Sequence, residues 1–255
     1  MKEILNSQDP KVLLENEDLA ITFKPSNLLS VRSRFHKENP LPNLIDHLSV
    51  KTSQSLLPVH RLDFEVAGLI LLAKNKKTQS ILSQYFEKRT IQKTYLALSL
   101  EVDFQHFEKL PFDVEKIEIQ KEKKFEWKSK ILRGKKRSYT SLHGDPCLTH
   151  SFYKGSQKIQ FYTIHQWELN PLTGRSHQLR FEMAQHSHPI IGDELYFAPL
   201  SPSYKKGIAL VAQKLNFSKC AAYQKLGIPE EFSLDITWSS ILEQVKFPSA
   251  QSIAQ

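Results

Sequence analysis

In HRLDFEVAGLILLAKN (residues 60–75) a carboxylate, Asp63, follows His60 and Arg61 closely and stands just ahead of the apolar run Val66–Ala73. In water such a carboxylate is an ordinary weak base. At the mouth of a buried strand its desolvation costs several kcal/mol unless a cation compensates. Arg61 is close in sequence, and Arg175 or Arg180 could reach it through space. A carboxylate held in this way can serve as nucleophile or general base. A structural ion pair at a strand terminus uses the same residue types, and the local sequence leaves both readings open.

A second constellation is TGRSHQLR (173–180). A glycine turn running into a helix presents backbone N–H groups, and Arg175, His177 and Arg180 crowd its first turns, which suits a phosphate or carboxylate. Residues 177 and 180 are three apart and would share one helical face. A polar helix start that caps itself is the bland alternative. His143, Cys147 and His150 form H-x3-C-x2-H, and His177, His186 and His188 a looser group, but neither supplies four ligands at a familiar spacing. No metal is expected. GxxxxGK[ST] and GxGxxG loops are absent, as is G-x-S-x-G, so neither a nucleotide cofactor nor a serine hydrolase is indicated.

The elements that must position these groups follow from periodicity. DLAITFKPSNLLSV (18–31) predicts a strand, a turn at Lys24–Asn27 and a second short strand. Leu41, Leu44, Ile45 and Leu48 predict an amphipathic helix over 40–52. Val66–Ala73 has the length and composition of a buried strand. Residues 75–89 predict a helix capped by Asn75 or Thr78, and 90–100 another strand. QKIQFYTIHQWEL (157–169) reads as strand, and a helix is expected after Gly174. Residues 101–140 show the least pattern. Between Lys121 and Arg137 they carry nine basic residues against Glu122 and Glu126, with Phe125, Trp127 and Tyr139 interleaved near them. That composition fits an RNA-facing arm whose aromatics stack on bases, and equally a solvated strand pair with its aromatics in the core.

The 255 residues suffice for one sizeable core without disulfides, and Cys147 and Cys220 are expected reduced although they could form one bridge. The N-terminus is charged too early for a secretory leader. No apolar run approaches the roughly 20 residues that span a bilayer. A cytoplasmic protein with no membrane partner is expected. A formal charge of +8 and a pI near 9.3 favour a polyanion, nucleic acid first. The expected fold class is α+β: a single catalytic domain with a central mixed, mostly antiparallel sheet flanked by helices. Residues 1–17 are expected as an N-terminal extension, 18–243 as the domain and 244–255 as a frayed tail.

Taken together, four ordered blocks resemble the RluA-type pseudouridine synthases. FKPSNLLSV (23–31) is similar to the family's KP-S-G-LL-V strands, and HRLDFEVAGLILLAK (60–74) to its HRLD-x-x-T-S-G-L-L-L-L-A-K motif. FEKRTIQKTYLAL (86–98) resembles F-x-x-R-x-x-x-K-x-Y-x-A, and TGRSHQLR…HPIIGDELY (173–196) resembles TGR-x-H-Q-[IL]-R…GHPI-x-GD-x-x-Y. Such enzymes break the C1′–N1 bond of a uridine in RNA, rotate the uracil and rejoin it through C5. The resemblance implies that Asp63 acts on the ribose, by attack at C1′ or by removing the 2′ proton. Arg180 would pair with that carboxylate, and Tyr95 would pack against the base. Arg61 would fill the space the flipped nucleotide leaves or contact a phosphate. His60, Arg175, His177, Lys93 and Lys24 are expected at the RNA. An isomerisation with no redox change and no hydrolysis implies no cofactor. The expected partner is a tRNA or rRNA stem-loop, and the expected state a monomer.

The chain departs from the pattern at several points. Val66-Ala67 replace Thr-Ser, Glu182 stands where a histidine is usual, Ser187 replaces the glycine of Gly-His-Pro, and Val211 replaces the histidine of L-H-A. The segment Gly144–Thr149 lacks the family's lysine. These changes keep open a non-catalytic RNA-binding or RNA-folding protein that retains the fold, and a basic protein in which Asp63 is an inert ion pair.

Overall fold

The computed structural model describes residues 2–33, 41–53 and 55–248. The tail expected to fray from 244 is ordered where it is described: Gln244 is buried and Val245–Lys246 pair with a strand, while residues from 249 onward lie outside the described residues. Along the chain run strands β1 (Lys11–Glu15) and β2 (Leu19–Lys24), helix α1 (Leu44–Thr52), strands β3 (Leu57–Pro58) and β4 (Ala67–Ala73), and helix α2 (Lys76–Glu87). Strands β5 (Gln92–Ser99), β6 (Lys123–Arg133), β7 (Ser138–Thr140), β8 (Asp145–Ile159) and β9 (Tyr162–Pro171) then precede helix α3 (Gln178–Gln185). Strands β10 (Ser203–Tyr204), β11 (Leu210–Asn216) and β12 (Glu231–Ser233), helix α4 (Trp238–Leu242) and β13 (Val245–Lys246) complete the order. The class is α+β, as expected. Two compact units are distinguished, Met1–Lys93 with Val211–Ile236, and Thr94–Leu210 with Thr237–Gln255.

In the first unit β4 is hydrogen-bonded to β2 antiparallel and to β11 parallel, with β3 also on β4, β1 on β2 and β12 on β11. All seven residues of β4 are buried. A strand covered on both faces reads as a continuous apolar run, which is why AGLILLA shows no alternation. Helix α2 packs on β3 and β4. Asn75 is its N-cap, accepting the Thr78 N–H at 2.9 Å, while Asn75 Nδ2 and the Thr78 hydroxyl both donate to Asp18. Strand β1 pairs with β2, so the segment before residue 18 contributes an edge strand to the sheet.

Two expectations shift here. The second strand of 18–31 shrinks to one bridge, Leu29 to Asn43, because Ser30 turns instead to the Asp63 loop. The helix expected over 40–52 starts at Leu44. Pro42 disfavours helix before it, and Asn43 caps the start by accepting the Asp46 N–H at 3.0 Å. Leu41 therefore lies outside the helix and exposed, while Leu44 and Leu48 are buried.

In the second unit β5, β9, β8, β6 and β7 form an antiparallel array in that spatial order, and β10 pairs with β13. The run 157–169, read as one strand, is the β8–β9 hairpin turning at Gln160-Phe161, where Gln160 takes a left-handed φ of 53°. The weakly patterned stretch 101–140 contains β6. Its burial alternates, with Trp127 and Ile131 inside and Phe125 and Ser129 half-buried, while Lys124, Glu126, Lys128, Lys130 and Leu132 are exposed. Trp127 lies 5.6 Å from Trp167 and 4.5 Å from His186, ring centre to ring centre. Helix α3 packs against β6 and β7. A core of Phe104, Phe112, Ile131, Cys147, Phe181, Ala184 and Tyr196 lies within this unit.

Candidate active site

Asp63 lies in the loop that enters β4. The Val66 N–H donates to the Asp63 carbonyl at 3.2 Å, closing a turn over Phe64 and Glu65. The loop is clamped on both sides of Asp63. The Ser30 hydroxyl donates to the Leu62 carbonyl at 2.7 Å and accepts the Leu62 N–H at 3.0 Å. On the other side the Phe64 carbonyl accepts the Asn27 N–H at 2.8 Å and Lys24 Nζ at 3.2 Å. KPSNLLS, residues 24–30, is thus the cradle of the Asp63 loop.

Lys24 was expected at the RNA, and its placement corrects that expectation. The residue is fully buried, and its ammonium donates to the carbonyls of Pro25, Leu28 and Phe64 at 2.8–3.2 Å. Burial pulls its pKa down to about 7, against the opposing pull of the Asp63 and Glu65 carboxylates. It holds the loop and places a titratable charge beside it.

His60 also serves the loop's frame. Its Nε2 accepts the Leu71 N–H at 2.9 Å, and its ring stacks on Phe86 at 4.4 Å. Burial, and then the neighbouring Lys93, push its pKa to about 3, so the ring is neutral and brings no charge to a phosphate. Lys93 is half-buried, and desolvation lowers it to about 8. Arg61 is exposed. Among the expected RNA contacts of this unit, Arg61 therefore has the geometry of a surface cation, whereas Lys24 and His60 do not.

Within the second unit Arg180 is held by a fork on a carboxylate. Its Nε and Nη2 each donate to one Asp193 oxygen at 2.7 Å, and both residues are almost wholly buried. A fork on a carboxylate fixes the guanidinium plane. The Arg180 carbon lies 5.5 Å from the ring centre of Tyr196, whose hydroxyl accepts the Ser138 N–H at 2.7 Å. Sequence reasoning assigned no role to Asp193 or Tyr196. Their signal was the GDELY end of the fourth block.

The TGR segment departs from its expected geometry. His177 is the N-cap of α3 with a left-handed φ of 57°, so it precedes the helix instead of sharing a helical face with Arg180. It is buried, 5.8 Å from the Tyr196 ring. The loop's own side chain satisfies its start, with Gln178 Oε1 accepting the Arg175 N–H at 3.1 Å and the Thr173 hydroxyl at 2.7 Å. Arg175 is exposed and stands 3.6 Å from Asp145. Tyr95 is buried on β5 opposite Leu169, on the face that also bears Trp167.

Beneath this loop lies Glu182, the residue that replaces a histidine. It is fully buried, accepting the Thr149 hydroxyl at 2.6 Å and the Ser129 hydroxyl at 3.0 Å. Gln178 Nε2 donates to the same Thr149 hydroxyl at 2.9 Å. Desolvation raises the Glu182 carboxyl to about 7, against those hydrogen bonds. Among the described residues no group of three or more His, Cys, Asp or Glu stands ready to hold a metal ion.

Residues 18–185 match the family model described as RNA pseudouridylate synthase. The chain belongs to the RNA pseudouridylate synthase family. The synthase is 32% identical over 222 residues to the "Dual-specificity RNA pseudouridine synthase RluA" of Vibrio cholerae, which spans 85% of this chain and 81% of that protein. It is 27% identical to "tRNA pseudouridine synthase C" of Haemophilus ducreyi over 91% of this chain and 94% of that one. Among solved structures, "Human RNA Pseudouridylate Synthase Domain Containing 1" superposes with a TM-score of 0.62 at 18% identity, covering 95% of this chain and 98% of the human one. That likeness shows the fold. The synthase is thus an isomerase acting on RNA.

Proposed function

We propose that Asp63 is the group of this synthase that acts on the ribose of a uridine flipped out of RNA, with Tyr95 against the base and Arg180 paired with the carboxylate. The observation that carries the proposal is the double clamp on the Asp63 loop, in a chain of this family. A carboxylate whose backbone is pinned on both flanks keeps its place against a reacting sugar, and such positioning is a large part of catalysis. The C1′–N1 bond breaks and a C1′–C5 bond forms. The C5 proton leaves, and N1 of the rotated uracil gains one. Asp63 assists by attacking C1′ or by taking the 2′ proton. The Asp193 fork supports the role of Arg180 by holding its guanidinium in one orientation. Arg61 and Arg175, both exposed, supply phosphate contacts that help offset the few kcal/mol of base extrusion.

The substrate is a tRNA or rRNA stem-loop, in keeping with the tRNA named for the Haemophilus ducreyi relative. The enzyme works as a cytoplasmic monomer and needs no cofactor. Among the described residues no helix is long and apolar enough to cross a membrane.

The test is tritium release from RNA labelled at uridine C5, prepared from cells lacking the protein. Wild type should release tritium and Asp63→Asn should release none, while RNA affinity stays within about twofold. Equal release by both proteins would remove Asp63 from the chemistry.

A further inference from the structure

The formal charge of the chain is +8, and Lys121–Arg137 carries nine basic residues against two acids, so nearly the whole excess resides in β6 and its turn into β7. The rest of the chain is close to neutral. The fold sorts these charges. Arg133 Nη1 donates to the Lys136 carbonyl and Gly134 N–H to the Arg137 carbonyl, closing the turn. Arg137 lies on the Phe197 ring at 4.7 Å and donates to the Leu195 carbonyl, and Lys123 donates to the Glu118 carbonyl. Lys124, Lys128, Lys130, Lys135 and Lys136 are exposed. On this face Glu126 is neutralised by Lys128 at 2.6 Å, with His150 at 3.4 Å.

The strand's alternation also sorts the apolar side chains. Phe125 and Trp127 turn inward, so they offer no stacking platform, whereas Leu132 and Tyr139 stand directly opposite each other and exposed at the hairpin's end. Same-face side chains on a strand repeat about every 6.8 Å, a step comparable with that between neighbouring phosphates of an extended strand. Lys128 and Lys130 take that step, Leu132 and Tyr139 follow, and Lys135 and Lys136 form the tip of the turn.

We infer that this exposed face of the β6–β7 hairpin docks an unpaired segment of the RNA substrate, its lysines on successive phosphates and Tyr139 against a base. The inference rests on the RNA substrate of the synthase and assigns where the electrostatic affinity comes from. Charge spread over a surface confers solubility, whereas charge gathered on one strand face creates a local field that holds a polyanion. A base stacked on an exposed aromatic beside lysines is the usual mode of unpaired-strand binding.

The experiment measures RNA affinity against salt for wild type, for Lys130→Glu/Lys135→Glu/Lys136→Glu and for Tyr139→Ala. A control, Lys76→Glu/Lys77→Glu/Lys225→Glu, makes the same change in net charge at exposed sites elsewhere. The hairpin triple variant should bind on the order of tenfold or more weakly at about 0.1 M salt. Its slope of log Kd against log salt should fall by about 2, as expected for three lost phosphate contacts. The control should retain wild-type slope. Tyr139→Ala should weaken binding by about fivefold or more. Equal weakening by both triples, or an unchanged slope in the hairpin variant, would overturn the assignment. Unchanged affinity in Tyr139→Ala would overturn the choice of an unpaired strand. Absence of turnover in wild type would instead fail the functional reading, which separates the two.

Discussion

A single buried ammonium separates two accounts of Lys24, and a neutral isostere distinguishes them. In Lys24→Met the buried carbonyls of Pro25 and Leu28 lose the ammonium that donates to them, and Phe64 keeps only the Asn27 N–H. Leaving a buried acceptor unpaired costs about 1–3 kcal/mol. Stability should fall by about 2 kcal/mol or more and turnover should drop as the Asp63 loop loosens, with RNA affinity unchanged. A variant that folds normally and loses only affinity would return Lys24 to the RNA. Glu182 gives a second prediction at this scale. Its folded pKa of about 7 lies above the ordinary 4.5, so its contribution to stability is fully present below about 4.5 and is lost as pH rises through about 7. At about 1.4 kcal/mol per unit the loss is about 3 kcal/mol. Urea unfolding at pH 4 and pH 8 should show that difference between wild type and Glu182→Gln, the amide having no such dependence. Parallel profiles would mean that Glu182 is not buried as a titrating carboxyl.

At the scale of elements, the most demanding point is where β11 meets β4. Gly68 has a φ of +131°, and a Cβ there would sit 2.4–2.7 Å from backbone atoms of Ala212. The parallel pairing of Val211 with Ala67 and Ala212 with Gly68 therefore needs glycine at this place. Gly68→Ala should cost about 3 kcal/mol, read as a lower urea midpoint with an unchanged m-value. A midpoint within error of wild type would show that β11 can retreat without loss. The same junction explains why Val211 and Ala67 are tolerated where the family carries polar residues: both are buried, at 0% and 5% exposure, and are paired to each other.

For the whole molecule, the two cysteines report on the two compact units separately. Cys220 belongs to the first and Cys147 to the second, and both are free and buried. Burial raises the Cys147 thiol to about 12 and shifts Cys220 in the same direction. Because the thiolate is the reactive form, neither should react with Ellman's reagent at pH 8 in the native protein. Each should become reactive as its own unit opens, which single Cys→Ala variants resolve. Prompt modification of either thiol without denaturant would contradict the packing around it.

The sequence by itself determined what is local or carried by ordered blocks: the buried run of β4, the capped helix α2, the loop bearing Asp63 and the order of the family motifs. These were legible because a strand covered on both faces shows an unbroken apolar run and because Asn75 caps its helix within three residues. Tertiary structure alone decided which charges meet. KPSNLLS read as a turn, yet Lys24 became a buried clamp because β2 ends beneath the Asp63 loop, 40 residues away in sequence. Arg180 was visible as a cation, but its fork on Asp193 required α3 to face the turn after Ile190. The nine basic residues of 121–137 left two readings open until pairing with β8 fixed which side of β6 is buried, sending Trp127 inward and the lysines outward. The physical reason is common to all three. Periodicity encodes whether a residue can lie on an apolar face, whereas the desolvation and hydrogen bonding that give a charged residue its role depend on partners supplied by distant strands.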